Sequence, residues 1–462
     1  MLELKVNRVR YTKLFLAIIV IMALTNLRPF LFILFPFMLL IYTYIFKLHF
    51  SKNLPILLAI ILITTVASSL YIQEINLSNY ILSYYFLFPI FLFYFSSSHL
   101  HINNYNYFEY FLRITTVILI INNTLGFYQY FSNPSDDAFI GFYGKSGLGV
   151  HTLSLINLMI SSYYFFKYKS NSSKINLLLL LFFLASGFFC FYGLGLIVFI
   201  ITIFLYNINY KNIIKPLIII TSITFLLGLF LYVFRYETLM YNYYNIKKIG
   251  LLFKNDNGKK VKYDIPRKLV LHKNYVQTYT KDVGLLILGS GPGTFNSRTS
   301  FLLNGDYSKN SYLSTIFDVS TPAMAEKYVY PLWNSKITSQ SLYKYGVYND
   351  GTRNQPFSSI ISLLSEYGLF TFVLLFILIY NKYELTLNKL DSAKFETENK
   401  KQIGIYRNYI KFISIFIVLN LFTDNFLEYP EIIAMYLIMF KLIELTIPKT
   451  SINLEYSANK SN

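Results

Sequence analysis

A short glycine-rich stretch followed by an arginine is the part of this sequence best suited to binding an anion. Residues 289–298 are GSGPGTFNSR, directly after the apolar run LLIL. Glycines let a backbone approach a ligand closely, and N–H groups exposed in such turns bind anions. Gly289, Gly291, Gly293 and Arg298 are therefore candidate binding residues. A turn that merely ends a packed apolar segment explains the glycines equally well.

Three further arginines lie in the same polar part of the chain. Arg267 precedes the glycine-rich stretch, and Arg353 follows it. Arginine is permanently charged and binds phosphate oxygens in pairs, so Arg267, Arg298 and Arg353 are candidates for holding a phosphate. Arg235 suits either this role or that of an anchor at a membrane interface.

Proton transfer requires a different set of residues. His272 lies about one turn after Arg267 in a predicted helix, and Glu366 lies about two turns into an apolar span, where a charge is costly. Either residue could act as a general base, although Glu366 suits a structural pairing with an arginine as well. Asp350, Glu326 and His151 are weaker candidates, each with an ordinary structural explanation.

Aromatic side chains could stack on a sugar. Four lie in the polar segment, where such a role is conceivable: Tyr275, Tyr279, Tyr330 and Trp333. The chain contains 43 tyrosines and 44 phenylalanines, so a packing role explains the four equally well.

The elements that must position these residues are apolar. Of the 462 residues, 55% are hydrophobic and only 14% are charged. Apolar runs of about 20 residues, the length that crosses a bilayer as a helix, recur along the chain. The composition predicts an all-α polytopic membrane protein. The single cysteine, Cys190, excludes an intrachain disulfide.

Twelve spans are predicted, with both termini in the cytoplasm. Residues 175–206 are too long for one crossing, and lysines in the flanking loops favour two, because basic loops stay inside. The spans are 12–27, 29–46, 54–72, 80–96, 108–131, 148–168, 175–190, 191–206, 213–234, 358–380, 408–424 and 431–447.

This topology divides the chain into four parts. Residues 1–234 form an N-terminal bundle of nine spans, and 358–447 form three more, before a cytoplasmic tail at 448–462. Residues 235–357 form one large external loop with 17 lysines and arginines against 8 acids. Basic loops explain the net charge of +18 without nucleic acid, and a positive surface at the bilayer favours phosphate-bearing partners.

Three segments together carry a family resemblance: GFYGKSGLGVHTLSLINLMI at 141–160, LGSGPGTF at 288–295 and RNQPFSSIISLLSEYGLFTFVLLF at 353–376. In this order, with a large external loop in the second half, the chain resembles the O-antigen polymerase and ligase superfamily. The second and third segments contain its glycine-rich turn and its E-x-G, here Glu366 to Gly368. Phe357 stands where ligase-like members often have histidine, which favours a polymerase.

The resemblance implies a GT-C-like bundle in the cytoplasmic membrane of a bacterium, with the loop outside. It implies transfer of a glycan from undecaprenyl pyrophosphate to a sugar hydroxyl, without nucleotide or obligatory metal. Other membrane proteins of polysaccharide assembly are implied partners. Three activities stay open at this point: a polymerase of capsule, O-antigen or exopolysaccharide, a ligase-like transferase, and a transporter of lipid-linked oligosaccharides.

Overall fold

The computed structural model describes ten stretches of the chain. They are 2–45, 48–50, 53–98, 106–134, 138–144, 149–207, 267–302, 322–329, 358–392 and 397–446, together with Leu332 and a few positions between 225 and 243. Most of the ninth predicted span and much of the predicted external loop lie outside these residues.

Fifteen α-helices are assigned in the described residues, and most follow the apolar runs of the sequence. They are α1 (Leu2–Ala23), α2 (Arg28–Ile45), α3 (Asn53–Ile72), α4 (Leu77–Phe95), α5 (Tyr107–Ser132), α6 (Val150–Asn171), α7 (Lys174–Phe189), α8 (Gly193–Asn207), α9 (Arg267–Tyr279), α10 (Val283–Leu288), α11 (Arg298–Leu302), α12 (Ala323–Tyr328), α13 (Ser359–Ser392), α14 (Thr397–Thr423) and α15 (Pro430–Leu445). Two-residue strands, β1 (Leu48–His49) and β2 (Ser97–Ser98), pair antiparallel.

The all-α class predicted from composition is confirmed. Within the described residues, five helices are long and apolar enough to cross a membrane: Leu54–Ile72, Leu77–Phe95, Tyr107–Ser132, Ser359–Ser392 and Lys400–Thr423. Shorter apolar helices include the segments Phe30–Tyr44, Lys174–Phe189 and Gly193–Asn207. The count of twelve spans stays a prediction.

Residues 175–206 form two helices, as their length predicted. Helix α7 ends at Phe189 and α8 begins at Gly193, with Phe191 in the left-handed region at φ 51°. Gly187 lets α7 lie close to α6, since an added Cβ would lie 3.0 Å from Leu158. The Ser154 hydroxyl donates to the Gly187 carbonyl over 2.9 Å. Small residues allow this close packing between apolar helices.

Polar contacts mark the two ends of the bundle. At one end, called the site end below, the Arg28 guanidinium at the start of α2 lies 3.5 Å from the Glu431 carboxylate at the start of α15. At the opposite end, the Lys441 ammonium donates to the Ser96 carbonyl over 2.7 Å and to Glu444 over 2.8 Å. The connections 24–27, 73–76, 190–192 and 424–429 lie at the site end.

A small hydrophobic core at the site end is separate from the main core of the bundle. It contains Leu271, Tyr275, Tyr279, Leu285, Phe295, Val329 and Ile361, from α9, α10, α13 and the segments between them. Helix α13 is broken nearby, because Gly368 has φ 75° and ψ 164° inside it. This core fixes the polar segment 267–302 against the bundle.

Candidate functional site

The glycine-rich turn binds a carboxylate of the same chain. Glu366, which is 2% exposed, accepts hydrogen bonds from three backbone N–H groups of the turn. Gly293 donates to Oε2 over 2.6 Å, while Phe295 and Ser297 donate to Oε1 over 3.1 and 2.9 Å. Backbone N–H donors at both oxygens stabilise the charged form of a carboxyl group, whereas its burial opposes that form. The predicted anion-binding turn therefore holds Glu366, whose partners are backbone amides.

The turn and the break in α13 fit together through glycines. Gly289 has φ 78°, and an added Cβ there would lie 2.5 Å from the Gly368 nitrogen. A Cβ at Gly368 would overlap the carbonyl oxygen of Ile287. Ser290 N–H donates to the Ser365 carbonyl over 2.7 Å, which joins the two backbones. Only glycine allows this approach, so the two motifs of the family resemblance form one structural unit.

The other side of the turn packs on α4. The Asn79 amide donates to the Gly293 carbonyl over 2.7 Å, and the hydroxyls of Ser83 and Thr299 lie 2.8 Å apart. A Cβ at Gly293, where φ is 71°, would lie 2.8 Å from the Ser83 hydroxyl. The turn is therefore held between α4 and α13.

Arg298 ends this turn and starts α11. Its backbone N–H donates to the Glu428 carboxylate, and its Nη1 donates to the Glu428 carbonyl over 3.3 Å. The guanidinium carbon lies 5.1 Å from the ring centroid of Phe32 and 4.8 Å from that of Tyr429. Two aromatic rings therefore orient the guanidinium by cation–π contact, and it stays half-buried.

The connection between α14 and α15, together with the first turn of α15, carries three acids that lie against three basic residues. Asp424, Glu428 and Glu431 are all at most 4% exposed. The Lys268 ammonium lies 3.0 Å from Asp424, and it also donates to the Thr423 carbonyl. Arg298 contacts Glu428, as described above. Three acids thus place three cations at the same end of the bundle.

Arg28 completes the third pair. Its Nη1 lies 3.5 Å from Glu431 and donates to the Thr152 hydroxyl over 3.3 Å. Its guanidinium carbon lies 4.6 Å from the ring centroid of Tyr143. Gly149, with φ 89°, leaves the space that this guanidinium fills. Tyr143, Gly149 and Thr152, which belong to the first segment of the resemblance, therefore also contribute to the site end.

Burial changes the acid–base properties of two groups outside the predicted spans. Burial, with a smaller contribution from the Glu366 charge, raises the pKa of Glu428 to about 8, against the opposing effect of Arg298. Burial and the Lys268 charge lower the pKa of His272. Groups whose pKa values approach neutrality are suited to proton transfer, and structural networks produce such shifts too.

The two predicted aromatic candidates within the described residues are packed inside. Tyr279 is fully buried and donates to the Ser365 carbonyl over 3.0 Å, and Tyr275 is 7% exposed. Their ring centroids are 4.5 Å apart. Both rings belong to the small core that supports the glycine-rich turn, so they lie behind the site and not on an open surface.

The remaining predicted residues are placed less completely. Arg267 begins α9, but its side chain lies outside the described residues, as do Arg353, Trp333, Arg235, Asp350 and Tyr330. Glu326 is exposed on α12. Among the residues that the structure describes, no group of three His, Cys, Asp or Glu side chains is arranged to hold a metal ion.

Sequence reasoning missed the acidic connection, Arg28 and the role of Lys268. A signal was present for the acids, because TDNFLEYPE at 423–431 places three carboxylates between two apolar spans. Intramembrane or interfacial charges of this kind are usually paired or functional. Arg28, at the edge of a predicted span, looks like an ordinary interfacial anchor in the sequence.

Comparison with known proteins adds no family to this geometry. No protein-family model matches the chain, and no curated protein sequence matches it. The chemistry of the site end is therefore the basis for inferring its function.

Proposed function

We propose that this chain is a polysaccharide polymerase, which joins oligosaccharide repeat units carried on undecaprenyl pyrophosphate. One observation carries the proposal: the glycine-rich turn and the Glu366-to-Gly368 motif pack into one unit beside Arg298. These are the two main motifs of the resemblance to the O-antigen polymerase and ligase superfamily. Their contact supports a shared purpose, which is to position Arg298 at the site end.

The environment of Arg298 supports phosphate binding. Within the described residues, its guanidinium donates one hydrogen bond, to the Glu428 carbonyl, and the rings of Phe32 and Tyr429 orient it. The other N–H groups can face two oxygens of a phosphate. Pyrophosphate is already a stable anion when it leaves, so the transfer needs positive charge at the leaving group more than it needs a proton donor. Arg298 supplies that charge.

Charge also supports an orientation. Lys167, Lys174 and Lys400 lie near helix ends opposite the site end, and Lys382 contacts Ser96 and Glu444 at that same opposite end. Basic residues are enriched on the cytoplasmic side of membrane proteins. We therefore place the opposite end in the cytoplasm of a bacterium and the site end at the outer face of its cytoplasmic membrane. Lipid-linked repeats would reach Arg298 there from the outer leaflet.

A transporter of lipid-linked oligosaccharides is the second candidate, favoured by polar residues between the helices. The Asn123 amide donates to Asn157 over 2.7 Å, and the hydroxyls of Thr116 and Tyr164 lie 2.8 Å apart, all of them buried between α5 and α6. Transporters need a polar path through the bundle. These groups bond to one another, however, which suits helix association equally well.

The test uses a deletion strain of the source bacterium, complemented with the full chain or its variants. Arg298→Ala is expected to replace long polymer with single repeats that remain linked to the lipid and accessible from outside the cell. Arg407→Ala is the matched control, since Arg407 pairs with Asp391 at the opposite end over 2.7 Å. Gels measure polymer length, and blots measure protein level.

Each alternative has its own signature. Normal polymer from Arg298→Ala at normal protein level would overturn the proposal for this residue. If the deletion strain accumulates lipid-linked repeats on the cytoplasmic side of the membrane, the chain is a transporter. If the deletion strain makes polysaccharide chains of normal length that stay on the lipid carrier and are not attached to a terminal acceptor, the chain is a ligase.

A further inference from the structure

Within the described part of the chain, one buried ring nitrogen of His151 has no hydrogen-bond partner. His151 lies in the first turn of α6, and its Nε2 is shielded from solvent with no hydrogen bond to any described residue. Leaving such a group unsatisfied destabilises the folded protein, and most buried polar atoms in native proteins are paired. The cost is understandable if this nitrogen binds a substrate group.

The walls around His151 come from two other segments of the site end. Its ring centroid lies 5.8 Å from that of Tyr192, 6.1 Å from that of Phe426 and 5.5 Å from that of Tyr429. Tyr429 also contacts the Arg298 guanidinium. The imidazole and the arginine proposed to hold phosphate therefore share one aromatic ring.

Four charged groups of the site end affect the imidazole electrostatically. They are Arg28, Lys268, Arg298 and Asp424. Arg28 is paired with Glu431, and Lys268 is paired with Asp424. A neutral imidazole has one nitrogen that accepts a proton, and the cations beside it favour an anionic group nearby. The cations oppose a positive charge on the imidazole, so a proton taken up there needs the departing anion beside it.

We propose that His151 is the general base of the glycosyl transfer, an inference that rests on the proposed polymerase function. The acceptor sugar's hydroxyl gives its proton to His151 Nε2 while its oxygen forms a bond to the anomeric carbon of the donor. The bond between that carbon and the phosphate oxygen breaks. Its electron pair leaves with the lipid pyrophosphate, whose charge Arg298 offsets. His272, the histidine predicted from the sequence, is the rival base.

Two measurements separate a base from a structural residue. Purified full-length chain is titrated with geranylgeranyl pyrophosphate as the probe, by its effect on thermal unfolding. His151→Gln is expected to bind this probe within about twofold of the wild type, whereas Arg298→Ala binds it at least tenfold more weakly. In the complemented deletion strain, His151→Gln is expected to lower polymer formation by a factor of about 100 or more. His49→Gln, an exposed histidine at the opposite end, is the matched control.

Chemical rescue adds a test that a structural role would not pass. Imidazole added to membrane vesicles that contain His151→Ala and the cell's own lipid-linked repeats should restore part of the transfer. Normal polymer from His151→Gln, or loss of transfer only in His272→Gln, would overturn the inference. Loss of probe binding together with transfer would assign His151 to the structure and overturn it too. If wild-type chain fails to restore polymer to the deletion strain, the proposed function itself fails.

Discussion

Replacing Glu366 with glutamine tests whether the carboxylate fixes the glycine-rich turn. The amide oxygen can still accept from Phe295 and Ser297, which now donate over 3.1 and 2.9 Å to Oε1. The amide nitrogen must then face the N–H of Gly293, which donates to Oε2 over 2.6 Å. The hydrogen bond from Gly293 is replaced by two N–H groups that face each other. The hydrogen bonds from Phe295 and Ser297 then end on a neutral amide oxygen in place of a carboxyl oxygen.

The expected cost follows from these contacts. A buried donor left unsatisfied costs about 1–3 kcal/mol, and hydrogen bonds to a charged group are worth more than neutral ones. Glu366→Gln should therefore lower the free energy of unfolding by about 2–4 kcal/mol. Because the loss is local, amide hydrogen exchange should accelerate most in the peptide that covers residues 289–298.

The assay compares two variants of one helix. Denaturant unfolding in detergent micelles and hydrogen exchange by mass spectrometry are measured for Glu366→Gln and for Glu384→Gln. Glu384 lies about five turns further along α13, near the opposite end, and is half-buried. Equal stability losses in the two variants, or unchanged exchange at 289–298, would refute the argument that this carboxylate organises the turn.

Three further predictions follow from the same geometry. Gly368→Ala should prevent accumulation of folded protein, because the added Cβ would overlap a carbonyl oxygen. Gly404 has open space around it, so Gly404→Ala should leave stability unchanged or raise it by up to about 1 kcal/mol. The yield of folded protein by size-exclusion chromatography and the thermal unfolding temperature compare the two variants. Glu428 has a folded-state pKa of about 8, above its unfolded value, so its contribution to stability is complete below about pH 4.5 and disappears as pH rises through 8. Thermal unfolding from pH 5 to 9 should therefore decline less steeply for Glu428→Gln than for the wild type, and parallel curves would contradict this. Lys268→Met should lower the free energy of unfolding by about 3–5 kcal/mol, because it leaves the buried Asp424 carboxylate without its ion-pair partner. The double variant Lys268→Met/Asp424→Asn should recover part of that loss. Strictly additive losses of stability would show that the two residues do not interact.

Local sequence patterns predicted the helices well. Apolar runs long enough to cross a bilayer as helices predicted the all-α class. The length of residues 175–206 predicted a break in the helix, and the structure has this break between Phe189 and Gly193. Helix formation depends mainly on residues within a few turns, so such elements are accessible from the sequence. The glycines at 289, 291 and 293 likewise predicted a turn, and all three have positive φ.

Tertiary structure decided which residues meet. Glu366 accepts hydrogen bonds from the amides of the turn. From the sequence alone, an arginine was an equally reasonable partner for Glu366. Lys268 and Asp424, 156 positions apart, form a buried pair that no local pattern indicates. The sequence by itself determined that the chain is helical and apolar, because those properties follow from local composition. The arrangement of charges at the site end depends on how the helices pack, and packing is set by contacts between distant segments.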